Sequence, residues 1–344
     1  MNTLFVGVIG QPEAMMRLEN LSKNPPHAYL FVGPSGTGKM AAALGFAAML
    51  LCENGGCGEC RTCRLARTAQ HPDLTIMTHE GATVLKGEAQ AIRTAAYRSP
   101  VEGRRKVLVL DDFHEASPES VALLLKTVEE PPASTFFVLL SNDVPPELVT
   151  IASRCVRIEF RVLSSQVIAE FLIKEGWPEL DATHAAHGAD GNLRRAQLLV
   201  TDDGFVGRQK FWATLPDRFD GTGATVDALV NEIVGLVESA GAPLAVQQSI
   251  ELAELEERVK TTGERGSGRA DLVKKHAREL RRLRRDELRF GLGELSRAYR
   301  DRLTGSHPDR VVEAIARIND MASHLVRNPN ENLQLQALFI ALGS

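Results

Sequence analysis

The chain has 344 residues, too many for one ordinary domain and suited to two or three. Its 44% apolar and 24% charged residues are those of a soluble globular protein, and a net charge of −4 gives no general attraction to nucleic acid. No apolar run reaches the roughly 20 residues of a membrane span, and the start lacks the basic segment and cleavage site of a signal peptide. The expected location is therefore the cytoplasm, without a membrane partner.

In the first half, short apolar segments alternate with helical ones. Ala28–Val32 reads as a buried strand running into a glycine-rich loop, and residues 40–51 as the helix behind it. Lys106–Leu110 is a second buried strand, ending in Asp111-Asp112. Residues 120–130 form an apolar-faced helix that Pro131-Pro132 must stop. Residues 135–140 and 156–160 are two further strands. Strands separated by helices predict a parallel sheet covered on both faces, over residues 1–161.

Past Arg161 the strand signals cease. Residues 164–175 read as a helix with Ser164 as N-cap and Gly176 near its stop, and residues 181–187 and 193–200 as two more. A small helical domain over 162–203 follows. From 204 to 344 the pattern is helical, broken by residues 261–268, whose composition is that of a flexible loop. Near the end, Val311, Ala314, Ile315, Ile318, Ala322 and Leu325 share the spacing of one buried helix face. The fold class is thus α/β plus all-α.

The chemistry centres on Gly33-Pro34-Ser35-Gly36-Thr37-Gly38-Lys39, placed between a strand and a helix as a phosphate-binding loop requires. Its glycines let backbone N–H groups close around phosphate oxygens, and Lys39 reaches the outer phosphates. The next residue should be Ser or Thr, whose hydroxyl holds Mg²⁺, and here it is Met40. A thioether is too soft to replace that oxygen. ATP or ADP binding is expected, and unaided hydrolysis is not. A chance glycine-rich turn is the bland alternative.

Three more elements belong with that loop. Asp111, at a strand tip, can hold a metal directly or through water. Asp112 stands where a longer Glu often polarises the attacking water; one methylene fewer withdraws the carboxylate by roughly 1.5 Å, and misplacement of that order can cost about a hundredfold in rate. The competing reading is that both acids cap a following helix. Asn142, at the next strand tip, can hydrogen-bond a γ-phosphate or a water, or simply form the turn before Pro145-Pro146. Arg154, in Ser153-Arg154-Cys155, can supply charge to phosphoryl transfer on a neighbouring subunit, although an isolated loop arginine is usually a solvated charge.

Four of the five cysteines, Cys52, Cys57, Cys60 and Cys63, cluster with spacing suited to a tetrahedral Zn²⁺. A ferredoxin-like iron–sulfur motif would place its next ligand at Arg67 followed by proline, where Thr68 stands, so structural zinc is favoured. Cys155 reads as a small buried residue. The basic stretch 274–289 could touch DNA phosphates, but its interspersed Glu279, Asp286 and Glu287 favour a solvated helix with ion pairs.

Taken in order, GPSGTGK, C-x4-C-x2-C-x2-C, VLVLDD, LLLKTVEEPP and SRC resemble the bacterial DNA polymerase III clamp loader of the AAA+ superfamily. Val8–Gln11 (VIGQ) and His27–Leu30 (HAYL) fit the same group, as does the ending Arg327-Asn328-Pro329-Asn330. Within that family, Met40, Asp112 and His71-Pro72-Asp73-Leu74 resemble the largely non-hydrolysing delta-prime type rather than the gamma/tau motor. The resemblance implies that Arg154 is an arginine finger acting in trans. It also implies that Arg194, in Gly191-Asn192-Leu193-Arg194, contacts bound phosphate from a helical lid, and that the four cysteines form a zinc module at 52–63. It implies a C-terminal helical collar in a hetero-pentamer with gamma/tau and delta subunits, which uses ATP to place a sliding clamp on primed DNA.

Overall fold

The computed structural model describes residues 3–77, 86–262, 268–303, 308–325 and 330–343, in two compact units, Met1–Gln197 and Leu198–Ser344. The first unit runs α1 (Pro12–Ser22), β1 (Ala28–Val32), α2 (Lys39–Leu51), α3 (Arg61–Arg67), β2 (Leu74–Met77), α4 (Lys86–Tyr97), β3 (Lys106–Leu110), α5 (Pro118–Glu129), β4 (Thr135–Ser141), α6 (Val149–Ala152) and β5 (Val156–Glu159). All five strands are parallel, in the order β2-β3-β4-β1-β5. Every residue of β1, β3 and β4 is buried, as in a sheet with helices on both faces.

The period-2 alternation of the strands divides the core in two. Tyr29, Phe31, Val107, Val109, Val138 and Leu140 pack with α1, α2 and α3 on one face. Leu30, Val32, Leu108, Leu110, Phe137 and Leu139 pack with α4, α5 and α6 on the other. Helix α2 is apolar nearly all round and accordingly buried. At Gly45, a Cβ would lie 2.6 Å from the Leu4 carbonyl oxygen, so glycine is what lets the Thr3–Phe5 turn cross this helix closely.

Helix α5 begins two residues before its expected start. Ser117 accepts the Ser120 N–H and Pro118 occupies the first turn, where its missing N–H costs nothing. Its end before Pro131-Pro132 is as expected. The sequence reading had no place for α1, α4 or β2. Strand β2 is short and only Leu74 in it is buried, so it carries little apolar signal.

What fixes β2 is polar. The buried Asp73 carboxylate accepts N–H groups of Val101, of Glu102 at 3.0 Å and of Gly103 at 2.7 Å, tying the turn before β3 to the start of β2. Lys106 adds a second tie, donating to the carbonyls of Ala95, Ala96 and Arg98 at the end of α4.

The first unit continues with α7 (Ser165–Lys174), α8 (Glu179–Gly188) and α9 (Leu193–Leu199). Ser164 caps α7 by accepting the Val167 N–H, and Gly176, at φ 100°, closes it, as the sequence indicated.

The second unit contains α10 (Phe205–Thr214), α11 (Gly223–Ser239), α12 (Ala242–Thr262), α13 (Arg269–Arg300), α14 (Pro308–His324) and α15 (Glu331–Gly343). Trp212, Ile233, Leu292, Ile318 and Phe339 anchor its core. Gly291 on α13 makes the slot for Trp212, since a Cβ there would lie 1.9 Å from the indole. Buried Arg208 bonds Asp202 at 2.5 Å and Glu287 at 3.2 Å, pinning α10 to α13. On α14, Ala314 and Ile318 are buried, as is Leu325 just past its end, with Met321 joining the predicted face.

Among the described residues, one helical stretch, Gly223–Thr261, is long and apolar enough to cross a membrane. It is divided here into α11 and α12, and Val226, Leu229, Val230, Ile233 and Val237 lie in this unit's core. Of the loop expected at 261–268, Thr261 and Thr262 belong to α12, Gly268 precedes α13, and residues 263–267 lie outside the described residues. So do residues 327–329 of the Arg327–Asn330 motif, whose Asn330 caps α15 by accepting the Leu333 N–H.

Folding holds the Asp73 carboxyl below its usual range: burial opposes the charge, but the three N–H bonds prevail. Asp73→Ala orphans those donors and is expected to cost about 3 kcal/mol in denaturant unfolding at neutral pH. Because the folded-state pKa is depressed, this contribution is present above the ordinary carboxylate pKa and lost as pH falls through the folded value. Wild type and variant should converge in stability in acid.

Candidate nucleotide and metal sites

The glycine-rich loop leaves the carboxyl end of β1 and ends at the first turn of α2. Gly33 donates to the Ser141 carbonyl at 3.2 Å, and a Cβ on it would lie 2.2 Å from the Phe160 carbonyl oxygen. Gly36 and Gly38 have φ of 77° and 92°, left-handed conformations that favour glycine. Thr37 is buried and donates to the Pro34 carbonyl at 2.9 Å, while Ser35 is half-buried. The loop is braced from outside its own motif by Gln11. That amide donates to the Arg161 carbonyl at 2.6 Å, accepts the Arg161 N–H at 3.0 Å and reaches the Thr37 carbonyl at 3.4 Å.

Lys39 is buried, its ammonium donating to the Gly33 carbonyl, the Pro34 carbonyl at 2.8 Å and Asn142 Oδ1 at 3.1 Å. Met40, in the first turn of α2, is partly buried against the core, an apolar setting for the position that would carry the metal-holding hydroxyl. Asp111 and Asp112 follow β3 at the same edge of the sheet. Asp111 accepts the Asp112 N–H at 3.0 Å, and Asp112 sits at φ 48° before a short turn, Phe113–Glu115, that its side chain does not cap. The structure thus brings Lys39, the two acids and Asn142 to adjacent strand tips.

His114 completes this cluster and was not singled out from the sequence. Its Nε2 lies 3.0 Å from Asn142 Nδ2. Burial lowers its pKa, partly opposed by Asp112, Glu115 and Asp143, so the ring is neutral at physiological pH. A histidine two residues past the Asp pair was the available signal.

Arg194 begins α9 and is exposed. Its neighbours touch the loop directly: the Leu193 N–H donates to the Gly36 carbonyl at 3.1 Å, and a Cβ on Gly36 would strike Asn192 at 1.9 Å. Arg195, by contrast, is buried and donates to the Gly188 carbonyl.

Arg154 lies elsewhere. Val156 pairs with Tyr29 at the amino end of the parallel β1–β5 ladder, whereas Gly33 abuts Phe160 at the carboxyl end. Four strand rises, about 13 Å, separate those levels, and Arg154 is farther back still. Its guanidinium donates to the Thr150 carbonyl at 2.8 Å and meets Glu129 at 3.1 Å, with a third of the side chain exposed. Cys155 beside it packs against the core, and burial pushes its thiol up to about 12.

The four clustered cysteines surround a common point. Cys52 ends α2 and Cys60 caps α3, accepting the Cys63 N–H at 3.4 Å. The Sγ atoms of Cys52 and Cys60 are 3.7 Å apart, Cys52 and Cys57 3.9 Å, and Cys57 and Cys63 4.0 Å. A tetrahedron of sulfurs at 2.3 Å from Zn²⁺ has edges of about 3.8 Å, so the donor set and its spacing fit that ion. Burial works against a charge on Cys52, but surrounding backbone N–H groups bring its thiol down to about 6; burial and the neighbouring sulfurs push Cys63 up.

Part of the basic stretch is engaged in ion pairs within its own unit. Lys275 and His276 meet Glu251 at 3.0 and 3.1 Å, and Arg284 meets Glu331.

Residues 10–164 match the family described as DNA polymerase III, delta subunit. The chain is 33% identical over 170 residues to DNA polymerase III subunit delta' of Bacillus subtilis, covering 48% of this chain and 52% of that subunit. It is 36% identical over 137 residues to the delta' subunit of Pseudomonas aeruginosa (38% and 42%), and 33% identical over 264 residues to subunit tau of Salmonella typhimurium (69% and 40%). The chain therefore spans about half or less of the length of these relatives.

Purified protein is expected to carry one Zn²⁺ per chain with sulfur scatterers at about 2.3 Å in X-ray absorption. Cys60→Ala should release the metal and lower the melting temperature. Iron–sulfur absorption, or a metal content unchanged by the substitution, would contradict the assignment.

Proposed function

We propose that this chain, a clamp-loader subunit by its match to the family described as DNA polymerase III, delta subunit, and by its delta' relatives, is of the delta-prime type and lends Arg154 to a neighbouring ATPase subunit. The observation that carries this reading is the position of Arg154 at the end of the sheet opposite its own Lys39, where it faces outward and cannot reach a phosphate on Lys39. A guanidinium so placed serves another chain's phosphoryl transfer, where a finger supplied in trans is worth 10³–10⁵ in rate.

The chain's own pocket supports the same division of work. Lys39 and the N–H groups of the glycine loop are suited to hold the phosphates of ATP or ADP, and in this reading Arg194 contacts them from α9, whose Leu193 N–H bonds the Gly36 carbonyl. A bound Mg²⁺ would neutralise phosphate charge, but Met40 offers it no oxygen, and Asp112 is a methylene short for a water-activating base. The four cysteines hold structural zinc in this reading. Residues 1–161 form the AAA+ domain, 162–203 the lid and 204–344 the collar. The partners are gamma/tau and delta subunits in a hetero-pentamer, with the sliding clamp and primed DNA engaged through that assembly.

A second reading, an active gamma/tau-type ATPase, draws on the same convergence of Lys39, Asp111 and Asn142 and on the tau relatives. ATP turnover by the purified chain, abolished by Lys39→Ala, would favour it.

The isolated chain is expected to hydrolyse ATP negligibly. Added to motor and delta subunits it should stimulate clamp- and DNA-dependent hydrolysis, and Arg154→Ala should remove most of that gain by losing on the order of 10³-fold at the adjacent site. An Arg154→Ala assembly that hydrolyses ATP and loads clamps normally would refute the trans role.

A further inference from the structure

The hydrogen bonds behind Lys39 form a directional chain. An ammonium has three N–H donors, and Lys39 meets the Gly33 carbonyl, the Pro34 carbonyl and Asn142 Oδ1. With Oδ1 turned to a cation, Asn142 must point Nδ2 the other way, and there it meets His114 Nε2 at 3.0 Å. A donor at that distance calls for a lone pair on Nε2, which assigns the proton of the neutral imidazole to Nδ1, even though Glu115 Oε1 lies 3.9 Å from the same nitrogen. Among the described residues, His114 Nδ1 is buried without a hydrogen-bond partner. A polar atom left in that state is uncommon and asks for a reason. The reason available here is that this tautomer is the one able to hold Asn142.

We propose that His114 is a positioning residue that latches Asn142, carbonyl forward, onto Lys39, and so restrains the affinity of the pocket for nucleoside di- and triphosphates. This rests on the reading of the pocket as a nucleotide site in a non-hydrolysing subunit. A phosphate oxygen that approaches the ammonium competes with these acceptors. The Gly33 and Pro34 carbonyls are backbone, and Gly33 is wedged beneath Phe160. Asn142 Oδ1 alone among the three is carried on a rotatable side chain, and the bond to His114 opposes its rotation. The same arm ties the tip of β4 to the turn after β3, where Asp111 and Asp112 lie, so the latch links all three strand tips of the pocket.

The test is titration of the full chain with ADP and with ATPγS. His114→Phe keeps an aromatic ring of similar size but no acceptor, and Asn142→Ala removes the latch itself. Both should bind each nucleotide about tenfold more tightly, the equilibrium worth of one ordinary hydrogen bond. His114→Gln, whose amide oxygen can accept from Asn142, should restore wild-type affinity, which a merely space-filling role would not predict. Imidazole ¹⁵N NMR of the wild-type chain should show the Nδ1–H tautomer at neutral pH, changed in Asn142→Ala. Weaker or unaltered binding in both His114→Phe and Asn142→Ala, or an Nε2–H tautomer, would overturn the latch. So would failure of every variant to bind either nucleotide, an outcome that leaves the role of Arg154 standing because that role is read from the assembly's ATPase.

Discussion

Parallel pairing of β1 with both β4 and β5 is the constraint on which the rest depends. In a parallel sheet all carboxyl ends share one edge and all amino ends the other. The glycine loop after β1, the acids after β3 and the Asn142 amide after β4 are therefore gathered without further instruction. The strand order reverses at β1, with β4 on one side and β5 on the other, and that crevice is where open α/β sheets bind ligands. The same rule sends Arg154, which precedes β5, to the opposite edge. One geometrical fact thus gathers these groups at one edge and keeps Arg154 away from them.

Around that frame, polar ties do what apolar packing cannot. Gln11 clamps the backbone at Thr37 and Arg161, Asn192 presses against Gly36, and Asp73 collects three N–H groups to hold the edge strand. Gln11 and Asp73 are buried groups whose bonds are satisfied by backbone, so each specifies a register rather than adding bulk stability. The cysteine cluster extends α2 beyond its last turn and turns the chain into α3. A cation at its centre would fix that turn where the apolar core ends.

The elements legible in the sequence were those with a strong local signal. Strand β1 is fully apolar and β3 is apolar after Lys106, and both have the bounds their sequence indicates; Ser164 caps α7, and the four cysteine sulfurs lie within 4.8 Å of one another. What escaped had its cause far along the chain. Strand β2 is held by Asp73 contacts to residues 28 to 30 positions away. His114 acquires meaning only through Asn142, again 28 positions distant. The position of Arg154 relative to Lys39 follows from strand order and could not be read from spacing. Asp111 and Asp112 were placed at the right strand tip, and the structure sets aside helix capping by Asp112.

The central claim is that Arg154 acts across a subunit boundary, leaving its present contact with Glu129 for a neighbour's phosphate. An electron cryomicroscopy structure of the reconstituted assembly with a non-hydrolysable ATP analogue tests it most directly. The account predicts the Arg154 guanidinium within hydrogen-bonding distance, roughly 3 Å, of an adjacent subunit's terminal phosphate. Arg154 still paired with Glu129 and remote from every bound nucleotide would contradict it.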